Sequence, residues 1–208
     1  MDTDRRTRLT PDERRAQLVA LGVAFLVDNP LDALTIEELS ARAGVSRGLL
    51  FHYFGSKQGL HRDVVRTARD SMLRATAPVP ELPPLDRLWD TLTRIVGFVR
   101  EHRGTFYSLV RGVASGDAEV REVVEQAREE QAERVISVFL ELGVGDSELL
   151  RVALRSWVAF AEEVLVRSAI GSDLASHEVV AYLDRSAKAV VAALEPAPDA
   201  RPPADGSG

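Results

Sequence analysis

Residues 35–57, TIEELSARAGVSRGLLFHYFGSK, predict two short helices joined by a tight turn, with a third helix beginning behind them. Thr35 and Glu38 have the spacing of a capping box, in which each side chain accepts the backbone amide of the other, so the first helix is expected to begin here. Gly44 follows that helix, where the turn requires positive φ or a close approach of two helices. Ser46 is expected to cap the second helix. The segment therefore predicts a helix-turn-helix.

The second helix of this segment presents two different faces. Leu50, Phe51 and Phe54 recur at helical spacing, so we expect these three to form its buried side. Small and polar residues lie on the opposite side, and the long guanidinium of Arg47 in the first turn can extend away from the protein. A helix with such a face can enter the major groove of DNA.

The segment A-G-V-S-x-G-x-x-F-x-Y-F-x-S-K-x-x-L, residues 43–60, resembles the helix-turn-helix signature of the TetR/AcrR family of transcriptional regulators. The resemblance covers the first quarter to third of the chain. It implies an all-α fold of about nine helices, with an N-terminal three-helix helix-turn-helix DNA-binding domain and a C-terminal helical domain for ligand binding and dimerisation. The positions that carry it are Ala43, Gly44, Val45, Ser46, Gly48, Phe51, Tyr53, Phe54, Ser56, Lys57 and Leu60.

The resemblance also implies which residues contact DNA. Thr35, Tyr53 and Lys57 are expected to hold phosphates, and such contacts position a protein without reading the sequence. Base contacts are expected from Arg47, which can bind guanine bidentately, and then from His52. The full predicted set is Thr35, Ser46, Arg47, Gly48, Leu49, His52, Tyr53 and Lys57.

Two members of this set depend on shape more than on charge. Gly48 would let the helix backbone approach the duplex closely. Leu49 stands where the family often has a hydroxyl residue, so a contact with a thymine methyl group would replace a phosphate contact. The alternative for Arg47 and His52 is an ordinary solvated helix face.

Charge is unevenly distributed along the 208 residues. The net charge of −6 would by itself argue against a nucleic-acid partner. Residues 1–77, however, carry a net +2 and the remainder a net −8, which favours a DNA-binding region joined to an acidic body. The first residues include Arg5, Arg6 and Arg8, and this segment is expected either to be disordered or to serve as an arm on the DNA.

Several chemistries are excluded or disfavoured by composition. The chain has no cysteine, which excludes disulfides and thiolate metal sites. His52, His61, His102 and His177 show no ligand spacing, so we expect surface or capping roles for them and no metal or cofactor. The longest apolar run, residues 18–27, is too short to cross a bilayer, and no secretory signal is present. These features predict a cytoplasmic protein.

A proline-rich stretch, APVPELPP, divides the chain because a helix cannot continue through it. We predict a DNA-binding domain with its connecting helix at residues 1–76. A helical effector-binding and dimerisation domain is predicted at residues 77–194. The Pro-, Ala- and Gly-rich tail, residues 195–208, is predicted to be disordered.

The last two predicted helices are the candidates for a dimer interface. Apolar residues run nearly all round residues 149–170, which indicates burial on several sides. We expect both helices to pair with their symmetry copies in a four-helix interface of a homodimer. The alternative is that both stripes belong to the internal core. The stripe on the last helix consists of Val180, Leu183, Ala187, Val190, Val191 and Leu194.

In proteins that this chain resembles, ligands bind between the helices of the C-terminal domain. Arg111, Glu162 and Glu163 are polar residues that could orient a ligand, and an acid near aromatic rings would suit a cationic molecule. Most aromatic residues at helical spacing are simply core. The candidate lining residues are Trp89, Phe98, His102, Phe106, Tyr107, Trp157 and Phe160.

Together these features predict a sequence-specific DNA-binding transcriptional regulator, a repressor released from a palindromic operator by a small-molecule ligand. Its expected partners are double-stranded operator DNA, a second copy of itself and a small-molecule effector of unknown identity, with no membrane. The helix from Ser56 to Ala75 would couple ligand binding to DNA binding.

Two other functional classes compete with this one. The chain could be a helical dimeric interaction module that has lost operator binding. An enzyme is suggested only by residues 44–48, GVSRG, which match the G-x-S-x-G string of a hydrolase nucleophile elbow. That elbow requires a strand before the serine, whereas a helix is predicted here, so we do not expect an enzyme.

Overall fold

The computed structural model describes residues 9–112 and 117–194, and every regular element within those ranges is helical. This confirms the predicted all-α class. The segment with Arg5, Arg6 and Arg8 and the tail at 195–208 lie outside the described residues. No helix in the described ranges combines the length and apolarity needed to cross a membrane. The elements are α1 (Pro11–Phe25), a 3₁₀ turn (Leu31–Ala33), α2 (Ile36–Ala43), α3 (Arg47–Phe54), α4 (Lys57–Ala75), α5 (Pro84–Glu101), α6 (Arg103–Gly112), α7 (Ala118–Glu141), α8 (Glu148–Gly171) and α9 (Ser176–Ala192).

Local sequence determines where most of these helices begin. Thr10 and Glu13 form a complete capping box, with Pro11 at the first helical position of α1. The Ser56 hydroxyl accepts the Gly59 amide at 3.0 Å and starts α4. These caps satisfy backbone amides that have no partner inside a helix, so the helix starts are sharply defined.

The buried side chains form two clusters, and the boundary between them does not follow the chain. The N-terminal cluster is built from α1 to α4, but it also includes Val120, Val123 and Val124 from the first turns of α7. The C-terminal cluster is built from α5 to α9. Helix α7 therefore contributes to both clusters. Polar bonds join α4 to the same helix, because Arg62 donates to Glu119 at 2.8 Å and Arg69 donates to Gln126 at 2.9 Å.

Helix α6 lies at the junction of the two clusters. Its second residue, Gly104, packs directly against the backbone that ends α1. A Cβ atom at Gly104 would stand 1.8 Å from the carbonyl oxygen of Val27. Phe106, two residues later, is buried in the C-terminal cluster. One short helix therefore contacts both parts of the molecule.

Helices α8 and α9 differ from the prediction in which faces they bury. The α9 stripe of Val180, Leu183, Ala187 and Val191 is buried inside the protomer, because α9 packs on α5 and α8. The expectation that this stripe forms the dimer interface is therefore wrong, and the internal-core alternative is correct for it. A different surface stays exposed, formed by Leu149, Val152 and Phe160 of α8 and Tyr182 of α9.

Candidate nucleic-acid interface and ligand cavity

The start of α2 forms only half of the predicted capping box. The Thr35 hydroxyl accepts the Glu38 amide at 3.0 Å. The Glu38 carboxylate does not return to the Thr35 amide and instead accepts Nε of Arg42 at 2.5 Å, one turn along the same helix. A charged partner at i+4 competes effectively with a neutral amide for an exposed carboxylate. The Thr35 amide at the helix N-terminus is therefore not taken by Glu38.

The turn between α2 and α3 is fixed by its backbone. Gly44 adopts φ 63°, a left-handed conformation that favours glycine. The Ser40 hydroxyl donates to the carbonyl oxygen of Val45 at 2.6 Å, which closes the turn. The Ser46 hydroxyl accepts the Leu49 amide at 3.3 Å as the cap of α3. Because a helix, and not a strand, precedes the turn that contains Ser46, this serine does not lie in a nucleophile elbow.

Helix α3 buries a narrower face than the sequence predicted. Leu50 and Phe54, one turn apart, are buried in the N-terminal cluster. Phe51 is 50% exposed, so its predicted burial is wrong. A helix of two turns can bury little more than one i, i+4 pair, and Phe51 lies about 100° round the axis from Leu50. Phe51 instead lies one turn after Arg47 on the outward side.

The outward face of α3 is open to solvent. Arg47, Gly48 and His52 are exposed, and Leu49 and Tyr53 are the less exposed of the α3 residues in the predicted set. Arg47 donates to Glu37 of α2 at 3.0 Å, but both side chains are more than 60% exposed, and such a pair contributes little to stability. The guanidinium can therefore leave Glu37 for a nucleic acid.

Nothing in the described structure requires a glycine at position 48. A Cβ atom at this position would meet nothing closer than the Ser46 hydroxyl at 4.0 Å. Glycine inside a helix costs about 1 kcal/mol relative to alanine. The close approach of a second molecule would account for a glycine here.

The start of α4 is anchored to the 3₁₀ turn by two side chains. The Lys57 ammonium donates to the carbonyl oxygen of Asp32 at 2.9 Å. One turn later, His61 Nε2 lies 2.7 Å from the carbonyl oxygen of Leu34. His61 is buried, contrary to the predicted surface role, and burial lowers its pKa below the ordinary value. An ammonium has three donors, so Lys57 keeps two for a phosphate.

The C-terminal cluster borders a cavity of about 120 Å³ that is partly open to solvent. Of the seven predicted ligand-binding residues, Phe106 and Trp157 line it. Tyr107 borders a separate open groove. The cavity wall is built from α4 to α9 and the loop before α5, and it includes Met72, Arg87, Leu88, Thr91, Leu92, Ile95, Phe106, Gln131, Arg134, Trp157, Glu162 and Leu183.

The other four predicted residues lie away from this cavity. Trp89 and Phe160 are exposed, and Phe98 packs against His102 with ring centroids 4.4 Å apart. For Trp89 and Phe98 the reason is the register of α5, which turns its aliphatic residues toward the cavity and these two aromatic residues away from it. Their participation in ligand binding stays a prediction that this geometry does not favour.

Glu162 is the acid on the cavity wall, and it already has a cationic partner. Its carboxylate accepts Nε of Arg128 at 2.8 Å. Burial raises the pKa of Glu162, and Arg128 offsets part of that rise. Burial would lower the pKa of Arg128, but its ion pairs with Glu162 and Glu125 raise it above the ordinary value. Glu163 borders the open groove and pairs with Arg167, and the side chain of Arg111 lies outside the described residues.

Arg134 connects the cavity wall to the end of α4. Its guanidinium donates to the carbonyl oxygens of Leu73 and Thr76, each at 3.2 Å, and to Glu130 at 2.7 Å. These carbonyls belong to the last turn of α4 and its cap, where unpaired acceptors remain. A change in the cavity that moves Arg134 would therefore act on the helix that begins at the helix-turn-helix.

Comparison with known proteins agrees with both parts of this architecture. The family model of the bacterial regulatory proteins of the tetR family matches residues 18–64, and that of the tetracyclin repressor-like C-terminal domain matches residues 84–196. The chain is 34% identical over 79 residues to the transcriptional regulator BetI of Cronobacter sakazakii, a match covering 36% of this chain and 39% of BetI. It is 36% identical over 69 residues to the transcriptional activator FasR of Mycolicibacterium smegmatis, covering 33% of this chain and 32% of FasR.

These two matches span less than two fifths of the relatives' own lengths. A solved structure extends the likeness to most of the fold. A tetR-family transcriptional regulator from Streptomyces coelicolor superimposes with a TM-score of 0.77 at 27% identity, covering 89% of this chain and 83% of that one. All three of these proteins are named as transcriptional regulators and not as enzymes. Because the C-terminal family model alone matches more than half of the chain, this protein belongs to the TetR family of bacterial regulatory proteins.

Proposed function

We propose that this protein is a homodimeric, sequence-specific transcriptional repressor that a small molecule releases from a palindromic DNA operator. The observation that carries the proposal is the outward face of α3. Arg47, Gly48, Phe51 and His52 are exposed there, after a turn in which Gly44 adopts the left-handed conformation. A short helix with a glycine and a long cation on its open face suits the major groove.

The contacts divide into two kinds. Thr35, Tyr53 and Lys57 position the protein on phosphates, and Arg47 and His52 read bases. Phe51 adds an apolar surface to this face and takes the role that the sequence predicts for Leu49. Because Phe51 is half exposed on this face, it is a good candidate for contact with a thymine methyl group.

The exposed surface on α8 and α9 supports the homodimer. Phe160 is 40% exposed and Tyr182 is 47% exposed, and their ring centroids lie 6.0 Å apart. Val152 and Leu149, also exposed, extend this surface along α8, about two and three turns nearer its start. Exposed aromatic and aliphatic side chains along one stretch of a helix are typical of a protein interface. Reading two half-sites also requires two copies of α3 at a fixed distance.

Replacing Phe160 by glutamate is expected to raise the dimer dissociation constant about 30-fold or more, since a buried aromatic residue at an interface centre contributes about 2 kcal/mol or more. Sedimentation equilibrium of the full chain measures the effect. The control is Trp89→Glu, which changes an equally exposed aromatic residue on α5 and should leave the dimer unchanged. If the two variants had the same dimer dissociation constant, the surface around Phe160 would not be the dimer interface.

Helix α4 carries the coupling between ligand and DNA in this proposal. Its first turn is anchored beside the helix-turn-helix through Lys57, and Arg134 holds its last turn. A ligand shifts the population between dimers whose two α3 helices are, or are not, one helical turn of DNA apart, about 34–36 Å. The effector thereby changes spacing without touching the DNA-binding residues.

The decisive experiment selects bound sequences from random DNA with the full-length protein. A two-fold repeat should emerge, with affinity for it falling steeply as salt rises. Transcription from a promoter carrying the selected site should fall when the protein is added. A rise would make the protein an activator, as FasR is named. Absence of any enriched sequence would sink the proposal and leave a helical dimeric interaction module.

A further inference from the structure

We propose that the cavity takes an uncharged, largely apolar molecule with one hydrogen-bonding group, held by the Thr91 hydroxyl and the Gln131 amide. That this molecule is the effector rests on the proposed function, but its chemistry follows from the cavity alone. Thr91 lies on α5 and Gln131 on α7, and both line the cavity.

The charged groups on the wall are already neutralised from outside the cavity. Arg87 pairs with Glu141 at 2.5 Å, and Glu162 pairs with Arg128 at 2.8 Å. Arg134 is occupied by the carbonyl oxygens that end α4 and by Glu130. A cationic or anionic ligand would therefore find no uncompensated opposite charge on the wall, and the cost of removing its own charge from water would not be offset. The expected cationic ligand, attracted by an acid near aromatic rings, is therefore disfavoured.

Thr91 differs from comparable threonines in the same region. The hydroxyl of Thr93, on the exposed side of α5, donates to the carbonyl oxygen of Trp89 at 2.8 Å, and that of Thr76 donates to Met72 at 2.8 Å. Thr91 is only 8% exposed, yet its hydroxyl has no hydrogen bond to any described residue. Among the described residues, Asp184 Oδ1 is the fully buried side-chain polar atom without a partner, so the Thr91 oxygen is accessible from the cavity that Thr91 lines. A ligand in the cavity can therefore bond to it.

Gln131 places a second polar group on the wall, from a different helix. Its side-chain amide likewise has no hydrogen bond within the described part of the chain, and it offers both a donor and an acceptor. Both Thr91 and Gln131 can therefore bond to a hydroxyl or carbonyl group of a ligand. Because the neutral side chains of Thr91 and Gln131 lack partners and the charged side chains on the wall have them, the cavity favours an uncharged ligand with a polar group.

The size of the space and its other walls define the rest of the molecule. Aliphatic side chains such as Leu88, Leu92 and Leu183 surround it, with the rings of Phe106 and Trp157. A purely apolar protein cavity of about 150 Å³ binds benzene. At about 120 Å³, this cavity accommodates a ligand with a body close to a single ring.

A matched series of small probes tests this chemistry on the full-length protein without DNA. The probes are benzyl alcohol, toluene, benzylammonium and benzoate, titrated by calorimetry or by ligand-detected NMR. Benzyl alcohol should bind saturably, and each ion should bind at least about tenfold more weakly, because its charge must be desolvated. Tighter binding of either ion, or no saturable binding of benzyl alcohol, would overturn the proposal.

A variant pair locates the bound hydroxyl group. Thr91→Val keeps the side-chain shape and should weaken benzyl alcohol about three- to tenfold while leaving toluene unchanged, in line with the loss of one hydrogen bond. Thr93→Val, on the same helix, is the control and should change neither probe. Equal loss for toluene and benzyl alcohol, or no loss for benzyl alcohol, would contradict the assignment. Because the probe titrations contain no DNA, they can fail or succeed independently of the selection of bound DNA sequences.

Discussion

Replacing Gly104 by alanine is expected to lower the free energy of unfolding by about 3 kcal/mol. The new Cβ atom would stand 1.8 Å from the carbonyl oxygen of Val27 and 2.7 Å from that of Leu26. Both are backbone atoms, so no side chain can rotate away to make room. Either α6 must move off the end of α1 or the end of α1 must unravel, and each change loses packing in a buried region.

Urea denaturation of the full chain, followed by circular dichroism, measures this effect. Gly97→Ala is the matched control, because Gly97 lies in the neighbouring α5 and a Cβ atom there meets nothing within 4 Å. This control should raise the free energy of unfolding by about 0.5–1 kcal/mol, since alanine favours the helix more than glycine does. If Gly104→Ala were as stable as the control, α6 could not approach α1 this closely in solution.

The second large effect is expected at the DNA. Arg47→Ala should relax the preference for one base pair in each half-site and cost about 1–3 kcal/mol of discrimination there, the value of a bidentate contact to guanine. Lys57→Ala should instead weaken binding to all sequences alike and reduce the dependence of affinity on salt by about one ion, as expected for a phosphate contact. The two variants therefore distinguish a base contact by Arg47 from a phosphate contact by Lys57.

Competition titrations with operators changed at single base pairs measure both effects. Arg94→Ala serves as the control, because Arg94 lies on α5 and pairs with Asp90 one turn earlier. It should leave affinity and preference unchanged. If Arg47→Ala and Lys57→Ala lost affinity equally on every sequence, Arg47 would have no reading role.

The helix starts are predictable from sequence because each depends on residues within one turn. Thr10, Thr35, Ser46 and Ser56 all cap the helices that are predicted to begin there. Periodicity places Phe51 on the wrong face because it gives an order round the helix axis but not the width of the buried stripe. Its distance of one turn from Arg47, an expected surface residue, is the signal that could have corrected it.

The partners of charged residues are much less predictable. Lys57 bonds to a carbonyl oxygen 25 residues earlier in the chain, and Glu162 pairs with Arg128 across two helices. Such pairs depend on how the helices pack, and that is not encoded in local spacing. The same reason explains the cavity. Residue type alone favours aromatic residues as lining, whereas the register of α5 places aliphatic residues on the wall.

The packing of Val120, Val123 and Val124 against the first four helices limits how the domains of such proteins can be exchanged. Part of the hydrophobic core of the DNA-binding region is supplied by α7, which begins more than 40 residues after α4 ends. If residues 1–76 were expressed alone, the apolar surface that those three valines cover would be exposed to water. A chimera that moves this DNA specificity onto another body would therefore have to carry a complementary apolar ridge at the same place.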